Sequence, residues 1–239
     1  MVQLSGHRST RTTFLCVLAA VGVAAAAGAA RAAVIWADPA DRTIAHLSTP
    51  ILLNGGSAEV GNNGGIMRTY VVPFQLPARP AGTVVTTADT QFWVLRNGAP
   101  NMNIDLYGLT PRMSSAVLGT DAYAGVLDPG ATLIQDNFST NALTSSSAYT
   151  ILHTDAGGDA TLVAYLNNAY ANVGAGGWVF LRLSCDNAAV PNLNSYFVNA
   201  AETTWQGPRI ELTFAAVPTP GATALAGLGA LAAARRKRR

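Results

Sequence analysis

The chain has little of the residue types on which most zinc sites and disulfide frameworks depend. Of its 239 residues two are cysteine, three are histidine and one is lysine. Cys185 is the only cysteine after residue 32, so residues 33–216 cannot form an internal disulfide. His46 and His153 are too few and too isolated for a zinc site. The packing of an apolar core must therefore hold the fold together.

The middle of the chain is acidic, although the whole chain has a formal net charge of +2. Eight of the fifteen basic residues lie before residue 33 or after residue 234. Residues 33–216 keep seven arginines against thirteen acidic residues, which leaves a net charge of −6. Because nucleic-acid binding needs clustered lysine and arginine, we expect no nucleic-acid partner.

The first 32 residues have the three parts of a secretory signal peptide. A basic start at residues 7–11 leads into an apolar run at 14–30. Ala30-Arg31-Ala32 is a small-x-small cleavage pattern, which makes Ala33 the predicted first mature residue. The run is short for a membrane span of about 20 residues. A signal helix that the secretion machinery recognises is therefore favoured over a permanent N-terminal anchor.

The last 23 residues also have three parts. Val217-Pro218-Thr219-Pro220 cannot continue a regular helix because it contains two prolines. The apolar stretch 222–234 follows and would be about 20 Å long as a helix. The chain then closes with Arg235-Arg236-Lys237-Arg238-Arg239. A hydrocarbon core is about 30 Å thick, so the apolar helix is short for a span, and the basic cluster is expected on the cytoplasmic side.

This order resembles the PEP-CTERM family of bacterial sorting signals, with Thr219 where the family usually has glutamate. The resemblance implies an exported bacterial protein that an exosortase-like membrane protease processes near the two prolines. Such systems usually accompany the production of an exopolysaccharide or a biofilm matrix. Residues 217–239 are therefore predicted to be a sorting segment that meets the membrane at least transiently. The alternative is a plain C-terminal membrane tail.

Residues 33–216 are predicted to be one domain made mainly of β-strands. Apolar and polar residues alternate, with the period of a half-buried strand, at 70–76, 103–107, 178–184 and 209–214. Further strands are predicted at 90–95, 149–153 and 196–198. Turn-forming residues separate these runs, as in an antiparallel β-sandwich. Pro73 indicates that the strand at 70–76 is an edge strand or contains a bulge.

One segment has the period of a helix. Leu162, Val163 and Leu166 share a helical face, and the run ends at Gly174. We predict a short helix near 160–173 with Asp159 as its N-cap. Calcium binding at 155–159 is the alternative, but the segment lacks the acid-rich spacing of known calcium loops.

Three of the strands resemble the opening of DNRLRE-type modules. They are Arg68 to Pro77, Ala88 to Val94 and Ile104 to Tyr107, where that family has strands of the forms F-x-L-P, A-x-L-x-F and L-Y. Thr90 stands where the family usually has an apolar residue. The resemblance covers about residues 66–215 and implies a jelly-roll-like β-sandwich on an exported bacterial protein. Some modules of this kind bind polysaccharide.

No catalytic residue, metal site or cofactor is predicted. The only glutamates are Glu59, Glu202 and Glu211, and sequence alone brings no pair of acids together. A Gly-x-Ser-x-Gly elbow does not occur. Cys185 is expected to be buried and inert, and the alternative is a thiol that pairs with another chain.

Exposed aromatic rings are the side chains expected to bind a sugar, because a ring face stacks on the C–H face of a sugar. Trp205 in a predicted loop is the first candidate, and Tyr196 and Tyr123 follow. We therefore predict an exported, non-catalytic surface or matrix protein with exopolysaccharide as a candidate ligand. A glycan-active hydrolase and a self-associating structural protein are the alternatives. Two carboxylates that converge in a cleft would count against the non-catalytic prediction and for the hydrolase.

Overall fold

The chain is built mainly of β-strands in the computed structural model, which describes residues 30–53, 57–97, 103–122, 130–139, 150–185, 194–201 and 206–217. The predicted signal helix and the predicted apolar helix at 222–234 lie outside these ranges. Within them, no helix is long and apolar enough to cross a membrane. The elements are β1 (Arg31–Trp36), β2 (Arg42–Ala45), β3 (Ile51–Leu53), β4 (Ser57–Asn63), β5 (Ile66–Gln75), β6 (Thr83–Asn97), β7 (Ile104–Gly108), β8 (Thr132–Ser139), β9 (Thr150–His153), α1 (Ala156–Asn172), β10 (Trp178–Cys185), β11 (Asn194–Asn199) and β12 (Arg209–Ala216).

The strands form two antiparallel sheets. The first has the order β3-β2-β5-β10-β7-β8, and the second has the order β1-β12-β6-β9. In the second sheet β11 pairs with the C-terminal end of β6, and β4 pairs with β11. The β4–β5 hairpin joins the two sheets, because β4 pairs with β11 as well as with β5. Side chains from both sheets and from α1 make up one main core. The prediction of a mainly β, antiparallel domain with one helix is confirmed.

The prediction of an edge strand or a bulge at Pro73 is wrong, and the pairing of β5 with β10 runs through Pro73 without a register shift. β5 lies inside its sheet, because Val71 pairs with β2 on one side and with β10 on the other. Pro73 lies beyond the end of β2, where its carbonyl accepts a hydrogen bond from the backbone N–H of Asp38 at 2.9 Å. The nitrogen and carbonyl of one strand residue point to the same side, so the missing N–H faces away from β10. An interior strand tolerates a proline in this position.

β10 is buried on both faces, whereas a half-buried strand was expected there. Val179, Leu181 and Leu183 face the main core, as the alternation predicts. On the opposite face Phe180 belongs to a second apolar cluster, and Arg182 is fully buried. The segment 109–122 contributes Leu109 and Val117 to that cluster and covers this face. β12 keeps the predicted pattern, with Ile210, Leu212 and Phe214 buried and the residues between them partly exposed.

The helix α1 begins earlier than predicted, and its N-cap is Asp155 rather than Asp159. The Asp155 carboxylate accepts hydrogen bonds from the backbone N–H groups of Gly157 at 2.9 Å and Gly158 at 2.8 Å. Asp159 lies in the first turn. The sequence pattern hides this start because two glycines, which are poor helix formers, occupy the first turn.

Replacing Asp155 by alanine should lower the free energy of unfolding by about 1 kcal/mol, because Gly157 and Gly158 lose their acceptor. Asp155→Asn keeps a capping oxygen and should stay close to the wild type. Urea unfolding followed by circular dichroism measures both variants. If Asp155→Ala were as stable as the wild type, water or another group would have to satisfy the two N–H groups.

α1 covers the edge of β6 that faces away from β12. The side-chain amide of Asn167 accepts a hydrogen bond from the N–H of Val85 at 3.0 Å and donates to its carbonyl at 2.9 Å. This amide therefore takes the place of a strand partner. Leu162 and Leu166, on the side of α1 that faces the core, are fully buried. The packing brings the first turn of α1 beside the outward-facing residues of β6.

Candidate functional site

The face of β1, β12 and β6 that points away from the core presents two rows of side chains. The strand register places one row side by side as Trp36, Arg209 and Gln91. It places the next row, two residues further along each strand, as Val34, Glu211 and Asp89. Rows on one face of a sheet are about 7 Å apart, so the two rows form one continuous surface.

Trp36 is an exposed aromatic ring on this surface. About half of the residue is accessible (46 %), and the guanidinium of Arg209 lies 5.4 Å from the ring centre. Arg209 also forms a salt bridge with Glu211, with 2.9 Å between Nη2 and Oε1. The guanidinium thus supports one side of the indole and leaves much of the ring open to solvent.

Asp89 is the centre of a hydrogen-bond network in the second row. One carboxylate oxygen contacts Nδ1 of His153 at 2.9 Å and accepts from Nε2 of Gln91 at 3.3 Å. The other oxygen lies 3.1 Å from the hydroxyl of Thr154. These contacts hold the Asp89 carboxylate in one position on the outer surface.

The network reaches an acid on each side of Asp89. Nε2 of Gln91 also donates to Glu211 Oε1 at 3.2 Å, and the hydroxyl of Thr154 lies 2.5 Å from Asp159 Oδ1. A hydroxyl has one hydrogen, so Thr154 donates to only one of its two carboxylate neighbours at a time. Three carboxylates from two strands and one helix are therefore joined through two neutral side chains.

Two adjoining pockets open on this surface. The first, of about 260 Å³, is lined by residues of β1, β6, β12 and α1, among them Asp89, Asp159 and Glu211. The second, of about 390 Å³, shares Thr87, Ala88 and Asp159 with the first. No basic side chain of the described residues lines either pocket. We call the two pockets together the acidic groove, which runs from β1 to the first turn of α1.

The acidic groove offers hydrogen-bond acceptors to a ligand. Carboxylate oxygens accept from hydroxyl and ammonium groups, and Trp36 next to the groove offers an apolar ring. Among the residues that the structure describes, no group of three or more His, Cys, Asp and Glu side chains has the arrangement to hold a metal ion.

The structure describes none of the side chains predicted to bind a ligand. Trp205 and Tyr123 lie outside the described residues, and Tyr196 lies in β11, where the side chain is not described. The sorting residues from Pro218 to Arg239 also lie outside the described ranges. Val217, the last residue described, is about half exposed.

Two other residues that the sequence singles out have structural roles. Cys185 is buried in the main core, which confirms the burial that was expected for this thiol. Glu59 is buried and forms a salt bridge with Arg68. It also accepts a hydrogen bond from the side chain of Asn63 at 2.7 Å. Glu59 therefore stabilises the β4–β5 hairpin.

The sequence reasoning misses Trp36 and the convergence of the acids. The alternation in β1, where Ile35 is buried while Val34 and Trp36 are exposed, is the signal that identifies the outward-facing ring. This alternation is easily missed in the sequence, because β1 begins at Arg31, two residues before the predicted domain boundary at 33. Asp89 and Asp159 are 70 positions apart in the sequence, and no local pattern connects them.

The chain matches no protein-family model and no curated protein sequence. Its function is therefore inferred from the terminal segments and from the acidic groove with Trp36.

Proposed function

We propose that this chain is an exported bacterial surface or matrix protein that binds a polysaccharide and catalyses no reaction. Residues 1–32, which have the form of a signal peptide, and residues 217–239, which resemble a PEP-CTERM signal, support export and sorting. The secretion machinery and an exosortase-like membrane protease are the partners that this route requires. The destination is the cell envelope, the cell surface or the extracellular matrix.

The fold proposed for the exported domain is a jelly-roll-like β-sandwich related to DNRLRE-type modules. Two observations support it: the strands form two antiparallel sheets, and both sheets contribute to one core. The core occupies the space between the two sheets, so a ligand site on the outer face of β1, β12 and β6 is compatible with this fold.

The observation that carries the polysaccharide proposal is the exposed ring of Trp36 beside the acidic groove. A sugar has apolar C–H faces and polar hydroxyl groups, so it needs an apolar platform next to hydrogen-bonding side chains. Trp36 is the platform, while Arg209, Gln91 and Glu211 are the polar neighbours in the same two rows. A concave surface with an aromatic ring and a few convergent polar groups is typical of small-molecule sites.

Replacing Trp36 by alanine should weaken polysaccharide binding about tenfold or more, because covering the exposed ring with a sugar contributes about 1.5–3 kcal/mol. A glycan-binding screen of the exported protein identifies the ligand, and calorimetric titration then compares the variants. Leu133→Ala, at an exposed apolar residue of β8, is the matched control and should bind like the wild type.

The same titration separates this site from the loop that the sequence favours. If Trp205→Ala abolishes binding and Trp36→Ala does not, the ligand binds at the predicted loop instead of the acidic groove. If the wild type binds no glycan in the screen, the proposal of polysaccharide binding is wrong.

A glycan-active hydrolase is the second candidate, because the acidic groove brings three carboxylates together. Glycosidases cleave their bond with two such groups. The general acid of these enzymes usually lies in an apolar environment. Glu211, in contrast, has a side chain that is 44 % exposed and paired with Arg209. The binding role is therefore preferred.

Release of reducing ends from the bound glycan tests the hydrolase directly. We expect none above the rate without protein. Release that is abolished in Asp159→Asn or Glu211→Gln would replace the binding proposal with a catalytic one. Asp136→Asn, an exposed acid on β8 outside the groove, is the control variant.

A further inference from the structure

The acidic groove has more hydrogen-bond acceptors than donors. Asp89, Asp159 and Glu211 line it, and an ionised carboxylate accepts at about four positions and donates at none. Thr154 supplies a single hydroxyl hydrogen between Asp89 and Asp159. The described protein groups therefore leave acceptor positions open to a ligand.

Gln91 adds a buried acceptor to the same cluster. This residue is only 5 % exposed, and its Nε2 donates to Asp89 and Glu211. Its Oε1 has no hydrogen-bond partner among the described residues. The amide cannot be turned over, because Oε1 would then face two carboxylates. In this orientation Gln91 holds the Asp89 and Glu211 carboxylates close together. Gln91 lines neither pocket, so a ligand in the acidic groove meets the carboxylates and not Oε1.

The charge of the cluster selects the kind of donor. Arg209 pairs with Glu211 and His153 contacts Asp89, while the described contact of the Asp159 carboxylate is the neutral hydroxyl of Thr154. Three carboxylates against one arginine and one histidine leave the groove negative whichever form the histidine takes. A polysaccharide rich in carboxylate or sulfate groups would be repelled by this charge.

An ammonium group meets both requirements, because it carries three hydrogens and a positive charge. We propose that the acidic groove binds a polysaccharide with unacetylated amino-sugar units, whose ammonium groups contact Asp159 and Glu211 while a neighbouring sugar stacks on Trp36. This inference rests on the proposed polysaccharide binding and adds the chemical class of the ligand.

Two matched ligands test the proposal: an oligomer of β-1,4-linked glucosamine and the same oligomer with every amine acetylated. The exported protein is titrated with each at low ionic strength and pH 6, where the amine is protonated. We expect the glucosamine oligomer to bind at least tenfold more tightly. The double variant Asp159→Asn with Glu211→Gln should bring the two affinities within about threefold, whereas Asp136→Asn should keep the preference.

Each other outcome has a distinct meaning. Equal affinity for the two oligomers overturns the amino-sugar assignment and leaves polysaccharide binding in place. A preference that survives in the double variant, or that Asp136→Asn removes equally well, overturns the groove as its source. The absence of binding by either oligomer and by every glycan in the screen overturns polysaccharide binding itself. If the double variant fails to fold, Asp159→Asn alone is used, since this side chain is bonded to fewer groups of the sheet.

Discussion

Replacing Arg182 by alanine should lower the free energy of unfolding by about 3–5 kcal/mol. Arg182 has no accessible surface and lies on the face of β10 that the segment 109–122 covers. Its Nη1 donates to the backbone carbonyl of Asp121 at 3.3 Å, and its guanidinium lies 4.8 Å from the ring centre of Tyr107. Alanine would leave a large cavity. It would also remove the hydrogen-bond donor from the carbonyl of Asp121 and the cation from the ring of Tyr107.

Arg182→Met separates the loss of volume from the loss of charge. Methionine fills much of the space without a buried charge, so its cost should be less than half that of alanine. Urea unfolding measures both variants. A loss below about 1 kcal/mol in Arg182→Ala would show that water readily replaces the guanidinium and that this face opens easily.

The pKa of His46 gives an independent measure of the positive charge of Arg182. Burial lowers the pKa of His46, and the positive charge of Arg182 lowers it further. In Arg182→Met the second cause is absent, so the pKa of His46 should rise towards its ordinary value of about 6.5. Proton NMR of the imidazole follows this titration. An unchanged pKa would mean that the charge of Arg182 does not reach the ring.

Replacing Tyr165 by alanine should cost about 3–5 kcal/mol, the loss typical of a buried aromatic residue. The ring of Tyr165 packs directly on Gly108, where an added Cβ would lie only 2.7 Å from it. Its hydroxyl donates to the carbonyl of Leu109 at 2.7 Å and accepts from the N–H of Phe180 at 3.2 Å. Burial raises the pKa of the Tyr165 phenol, so the hydroxyl remains a donor.

The hydroxyl and the ring of Tyr165 can be tested separately. Tyr165→Phe keeps the ring and should lose about 1–3 kcal/mol, because buried backbone groups at the end of the β7–β10 pairing lose their partner. Tyr170→Phe is the comparison on the same helix, since among the described residues that hydroxyl makes one hydrogen bond, to the carbonyl of Pro77 at 3.0 Å. It should lose about 1 kcal/mol or less. Thermal unfolding of the three variants measures the order, and equal losses in the two Phe variants would contradict it.

Strand β12 shows where the sequence pattern was sufficient. Ile210, Leu212 and Phe214 are buried as their alternation predicts, because one face of this strand meets the core and the other faces solvent. The same rule fails on β10, where Arg182 and Ser184 look like outward residues but are buried. Alternation records the polarity of a side chain, whereas its burial depends on what packs over it.

The start of α1 shows a limit of a different kind. Two glycines in the first turn weaken the local helix signal, and Asp159 then looks like the cap. Packing of Leu162 and Leu166 into the core and the bonds from Asn167 to β6 stabilise a helix that begins at Ala156. Tertiary contacts outweigh a weak local propensity in this segment.

By itself, the sequence determined the acidic charge of residues 33–216, the absence of an internal disulfide there and the mainly β, antiparallel class. Composition and short-range periodicity are properties of neighbouring residues, so they can be read directly from the chain. Only the tertiary structure decided that Trp36 lies on the same sheet face as Glu211 and Asp89, and that Asp159 joins Asp89 through Thr154. Trp36 and the three acids come from four separate elements, and their meeting depends on strand pairing and helix docking between distant parts of the chain.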